Sequence, residues 1–132
     1  ARAMASWGVF TALAGFEYDG PKHHMGFTPR VTPDDFRAAF TASEGWGSFA
    51  QTRTPDVQRE QIEVRWGQVK LDSLAFSLPV QWGSVDVLVK ADGQDVKTKT
   101  EHSQTTGRIV TRLDSTVTLS PGQKLEVEYR RH

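Results

Sequence analysis

From Ile62 to the end of the chain, apolar and polar residues alternate nearly one for one, and turn-forming residues cut the alternation at short intervals. Ile62, Val64 and Trp66 alternate with Glu63 and Arg65. Val85, Val87 and Val89 alternate with Asp86 and Lys90, and Leu125, Val127 and Tyr129 with Glu126, Glu128 and Arg130. Successive side chains of a strand point to opposite faces, so a period of two describes strands that are buried on one side and wet on the other. Val69 and Leu71 continue inward, and Leu74, Phe76 and Leu78 then take the other parity. That switch suggests a β-bulge or bend near Asp72-Ser73. Asp92-Gly93 reads as a hairpin turn, followed by one polar strand from Asp95 to Glu101. Ile109, Thr111 and Leu113 come after Gly107, and Val117 and Leu119 lead into the turn Ser120-Pro121-Gly122. Short strands at near-regular spacing, with no helical period between them, argue for an antiparallel sandwich.

The first half is less regular. Residues 1–14, ARAMASWGVFTALA, read as one helix: Met4, Trp7, Phe10 and Leu13 fall at threes on one side, and Gly15 suits its end. No capping residue precedes it, which suggests that its apolar stripe packs on something further upstream. Asp19-Gly20-Pro21 is a turn, and Met25-Gly26-Phe27 a short strand. Residues 32–40, TPDDFRAAF, suit either a helix, from the four-residue spacing of Phe36 and Phe40, or a strand, from the alternation of Phe36, Ala38 and Phe40. The strand is favoured because everything after it is strand-like. The expected architecture is therefore all-β, an antiparallel β-sandwich over residues 16–132 preceded by one N-terminal helix over 1–15.

The 132 residues fit one domain with a real core. Lys+Arg and Asp+Glu both total 16, so the basic excess of a nucleic-acid binder is absent. No basic run accompanies an amphipathic helix, which leaves membrane-surface binding unsupported. Cysteine is absent, and with it disulfides, thiolate nucleophiles and cysteine zinc sites. His23-His24 are adjacent and would face opposite ways on a strand, and His102 is remote, so no metal-ligand spacing occurs. No cofactor fingerprint is present, and the compartment is left open.

Every tryptophan is followed by glycine: Trp7-Gly8, Trp46-Gly47, Trp66-Gly67 and Trp82-Gly83. Trp66 shares the parity of Ile62 and Val64 and is expected in the core. Trp7 belongs to the helix stripe. Trp46 and Trp82 fall in an expected loop or strand edge, beside Glu44 and Gln81. A glycine after an aromatic leaves the ring face open, and sugar rings stack on indole while carboxylates and amides take their hydroxyls. Trp46, Trp82 and Glu44 are thus the candidate carbohydrate-binding residues; the alternative is that each ring plugs one end of the sandwich. Acid–base hydrolysis needs two carboxyls across a cleft. Asp34-Asp35 and Glu60/Glu63 are available, but Glu63 reads as a solvated face and Asp34-Asp35 as part of a turn.

The run ARAMASWGVFTALAGFEYDGPKHHMGFTPRVTPDDFRAAFTASEGWGSFAQ resembles the C-terminal stretch of bacterial glycoside hydrolases related to the non-lysosomal (bile-acid) glucosylceramidases. ARAMASWG is similar to that family's closing helix. GFEYDGP and the segment Phe27 to Phe49 are similar to the stretch after that helix, and RWGQVKLDSLAFSLP to a later part. In that family an (α/α)-barrel domain carries the catalytic carboxylates. The resemblance therefore implies a non-catalytic β-domain, with no catalytic residue of its own, that scaffolds such an enzyme or binds glycan weakly. Its partners would be a glycan or an upstream catalytic domain. Two further readings remain open: a small self-sufficient glycosidase using Asp or Glu, and a purely structural domain forming homo-oligomers through the N-terminal helix.

Overall fold

The computed structural model describes residues 13–132. In them the chain forms β1 (Glu17–Asp19), β2 (His24–Gly26), β3 (Asp35–Thr41), β4 (Gly45–Arg53), β5 (Val57–Gly67), β6 (Val69–Ser77), β7 (Val85–Ala91), β8 (Gln94–Val96), β9 (Thr98–His102), β10 (Arg108–Leu119) and β11 (Lys124–Arg131). A single 3-10 turn, Val80–Trp82, lies between β6 and β7. The strands make a five-stranded sheet in the order β1-β2-β6-β10-β9 and a six-stranded sheet in the order β3-β4-β5-β11-β7-β8. The expected helix over residues 1–15 falls mostly outside the described residues. Leu13 and Ala14 alone are helical, ahead of Gly15 at φ 57°, and the described residues hold no α-helical element.

The alternation places the core where the period of two requires it. Phe36 and Phe40 on β3, Phe49 on β4, Ile62 and Val64 on β5, and Leu125, Val127 and Tyr129 on β11 face inward from the six-stranded sheet. Met25, Leu71, Leu74, Phe76, Ile109 and Leu119 meet them from the five-stranded sheet. An aromatic spine runs through the interior. Phe27 stacks on Phe49 with centroids 3.8 Å apart, and Phe49, Phe76 and Tyr129 succeed one another at 6.1 Å each. Burying each such ring contributes about 1.5–3 kcal/mol, which is what orders strands of otherwise mixed composition. TPDDFRAAF is a strand from Asp35, because two inward phenylalanines four apart fit two strand periods as well as one helical turn.

Three details depart from or sharpen the sequence reading. First, the pairing is antiparallel except between β2 and β6, which run parallel, His24 opposite Ser73. Second, the polar strand expected over 95–101 is two strands: β8 pairs with β7 in one sheet and β9 with β10 in the other. A segment polar on both faces has no apolar side to hold it to one sheet, and the chain crosses over at Lys97. Third, the bulge expected near Asp72-Ser73 is present. Ser73 pairs with Arg112 but Leu71 with Val117, and the surplus residues of β10 let both ends of β6 face the core.

Candidate functional site

Trp66 does not face the core. It is 63% exposed, and Trp46, its partner across β4 and β5, is 48% exposed. The cause is a second bulge. Trp46 pairs with Trp66 and Gly47 with Val64, so Arg65 is an extra residue that reverses the side-chain parity beyond Val64. Both indoles therefore stand side by side on the outer face of the six-stranded sheet. The glycines beside them are required by close approach. A Cβ at Gly47 would collide with the Glu63 carbonyl oxygen, and one at Gly67, at φ 73°, with the Glu44 carbonyl oxygen.

The strand register maps the rest of this face. Moving from the tryptophans along the strands, Thr41, Trp46 and Trp66 are succeeded by a row of Ala39, Ser48, Glu63 and Lys124. Next come Arg37, Ala50, Gln61, Glu126 and Lys90, and then Asp35, Thr52, Arg59, Glu128 and Leu88. Two depressions lie on it. A shallow one of about 480 Å³ is lined by Ala39, Phe40, Thr41 and Trp46. The other, about 330 Å³, is lined by Arg37, Thr52, Arg59, Gln61, Lys90 and Glu126 among others. Ala39 and Arg37 are neighbouring outward positions of β3, so the two depressions adjoin. Four residues of strand, about 13 Å, separate the Trp46 row from the Arg37 row. The surface thus offers an open indole face at one end and amide, guanidinium and carboxylate groups at the other.

The other expected site residues are placed differently. Trp82 is 6% exposed and belongs to the core cluster. The 3-10 turn from Pro79, with Trp82 N–H donating to the Pro79 carbonyl at 3.0 Å, tucks the ring inward, so Trp82 offers no platform. Glu44 is exposed and two residues from Trp46. It lines a polar hollow of about 120 Å³ with Tyr18, His23, Ser43, Gln68 and Lys70. The Tyr18 hydroxyl braces that hollow, lying 2.9 Å from Ser43 Oγ and accepting from Ser43 N–H at 3.0 Å. The structure brings Trp46 and Glu44 to one end of the sandwich and separates them from Trp82. Sequence reasoning missed Trp66 as a surface residue. Its signal was the repeated Trp-Gly pair, which needed the register with Trp46 to be interpreted.

Two polar clusters hold groups of the kind that acid–base or nucleophilic chemistry would use, and neither is arranged for it. Glu60 is 2% exposed between the sheets, and burial pushes its carboxyl well above the ordinary range against the opposing effects of the Gln58 hydrogen bond and the Arg53 charge. Its partner across β4 is Gln51, not a second acid. Asp34, Asp35 and Glu63 do not converge on it: Asp35 and Glu63 are on the outer face. On the opposite side of the molecule, the Glu17 carboxylate accepts from His24 Nε2 at 2.9 Å, and His24 Nδ1 lies 2.7 Å from Ser73 Oγ. Arg108 grips Glu17 in a fork, 2.6 and 3.0 Å, and holds its carboxyl below the usual value. Ser73 is 8% exposed. The chain of contacts latches β1 and β2 onto β6 and β10, and presents no accessible nucleophile. His23 bonds Asp72 at 3.0 Å, and no group of three or more metal-ligating side chains occurs among the described residues.

No family model matches the chain, and no curated protein is similar to it in sequence. Among solved structures, the alpha-L-rhamnosidase from Dictyoglumus thermophilum is similar over 90% of this chain, with a TM-score of 0.48 and 13% identity. The chain spans only 12% of that enzyme's length. No helix among the described residues is long and apolar enough to cross a membrane.

Proposed function

We propose that this chain is a non-catalytic β-sandwich domain of a carbohydrate-active enzyme, which holds a glycan on the outer face of its six-stranded sheet. The observation that carries the reading is the outward pair Trp46 and Trp66, set beside a depression that continues into polar groups. Large exposed aromatics on a rigid sheet are platforms by chemistry. Their apolar faces take the C–H side of a sugar, and neighbouring amides and charges take its hydroxyls. The bulge at Arg65 supports the same reading, since bulges re-aim side chains where a sheet is put to use. The sequence resemblance to the C-terminal part of glucosylceramidase-related hydrolases supports attachment to a catalytic domain, with the sandwich serving as scaffold and glycan holder together. Glu44, beside the platform, completes the site as a hydroxyl acceptor.

The test is titration of the purified chain with soluble glycans, monitored by tryptophan emission. Binding that shifts emission, and is lost in both Trp46→Ala and Trp66→Ala, supports the reading. Emission unmoved by every glycan, or binding that survives both substitutions, removes it.

A further inference from the structure

The charges on this face are not evenly matched. Glu128 is paired with Arg59 at 3.1 Å and with Arg130 at 3.6 Å, and Glu63 with Arg65 at 3.6 Å. Glu126 lies directly opposite Lys90 in the strand register. Arg37 has no such counterpart. Among the described residues it makes no ion pair or side-chain hydrogen bond, and Asp35, two residues along β3 on the same face, is not within ion-pair distance. Across the register Arg37 looks onto Ala50, whose side chain cannot reach it. An exposed guanidinium with no acid partner lines the deeper depression, and the shallow one beside it ends at the open face of Trp46.

We infer that the ligand of this face is an oligosaccharide containing a uronic acid, whose carboxylate is held by Arg37 while a neighbouring ring rests on Trp46. The inference rests on the glycan reading above and narrows it. The fork of a guanidinium matches a planar carboxylate and forms two parallel hydrogen bonds to it, which a neutral hydroxymethyl group cannot do. The span of about 13 Å between the Trp46 and Arg37 rows allows a short oligosaccharide to engage both at once. Thr52 and Gln61, on the adjoining strands, are placed to take hydroxyls of the ring that bears the carboxylate. The Arg59–Glu128 ion pair, and Glu126 placed opposite Lys90, offset the other charges that line the depression. One anionic group is therefore selected at one place, rather than polyanions in general.

The test uses the intact chain with hexagalacturonate, hexaglucuronate, the fully methyl-esterified form of each, and cellohexaose, monitored by calorimetry and tryptophan emission. At low salt at least one free acid is expected to bind about tenfold tighter than its ester, the worth of one charge-assisted contact. Added salt erodes that margin. Arg37→Gln brings the acid down to the affinity of its ester and leaves the ester unchanged, and Arg37→Lys retains part of the margin. Equal binding of acid and ester, or a margin that survives in Arg37→Gln, overturns the inference while leaving the glycan reading intact. If no acidic or neutral sugar in the panel produces heat or an emission change, the glycan reading fails and the inference falls with it.

Discussion

Glu60 makes the stability of this sandwich depend on pH in a direction opposite to that of an ordinary paired carboxylate. Its Oε1 accepts from Gln58 Nε2 at 2.6 Å, and Oε2 has no partner among the described residues. The amide oxygen of Gln51, directly across the β4–β5 pair, is also buried and without a partner among the described residues. Burial disfavours the charged form of Glu60 more than the Gln58 hydrogen bond and the Arg53 charge favour it. The folded chain therefore keeps Glu60 protonated where the unfolded chain, near the ordinary value of 4.5, has lost the proton. With more protons bound when folded, stability is full below 4.5 and falls as pH rises from there through the folded value. The slope over that interval is about 1.4 kcal/mol per pH unit. Glu60 is sealed from water, so solvent does not screen the effect. Glu60→Gln keeps the acceptor for Gln58, supplies an amide N–H toward Gln51, and does not titrate. Urea unfolding of both proteins at a series of pH values isolates the residue, because every other group cancels in the difference. Over the interval above about pH 5 the wild type should lose stability relative to the variant as pH rises, while the variant's own profile lacks that fall. A difference that stays flat across that interval would refute the assignment of a buried neutral acid.

Single contacts give further expectations. Trp46→Ala and Trp66→Ala should each change stability by no more than about 0.5 kcal/mol in denaturant titrations, since both rings stand in solvent, while binding on the outer face is lost. Gly47→Ala should destabilise by about 1–3 kcal/mol, because its methyl group meets the Glu63 backbone rather than a yielding side chain. Thr111→Val removes the partner of the fully buried Tyr129 hydroxyl, 2.8 Å away, and should cost about 1–3 kcal/mol by the same measurement.

Most strands after residue 60 were legible because alternation and turns agree there. Even the bulge at Asp72-Ser73 could be read, since apolar residues appear on both sides of the parity switch. The equivalent switch at Arg65 left no such trace: Trp66 is as apolar as the core residues whose parity it shares, and periodicity cannot tell an inward tryptophan from one turned outward by an inserted residue. Trp82 took the alternative given for it, a ring packed into the interior, because a short 3-10 turn carries a loop-like sequence yet tucks its ring under the sheets. Glu60 and Gln58 share the inward parity of Ile62, yet nothing in the sequence signalled their burial, because both are polar. What makes them costly or tolerable is the facing Gln51 and the Ser77 carbonyl, which accepts from Gln58 at 3.0 Å, and those neighbours come from other strands. The face around Arg37 was out of reach of the sequence altogether, being assembled from five strands.

The parallel seam between β2 and β6 bears on how the chain reaches this shape. His24 and Ser73 are 49 positions apart along the chain, and β3 to β5 intervene in the opposite layer. Closing so long a loop cannot be rewarded until those strands are already stacked, so β1 and β2 dock late in folding. Their arrival seals the interior, since Met25 and Phe27 are then fully buried and Phe27 comes to stack on Phe49.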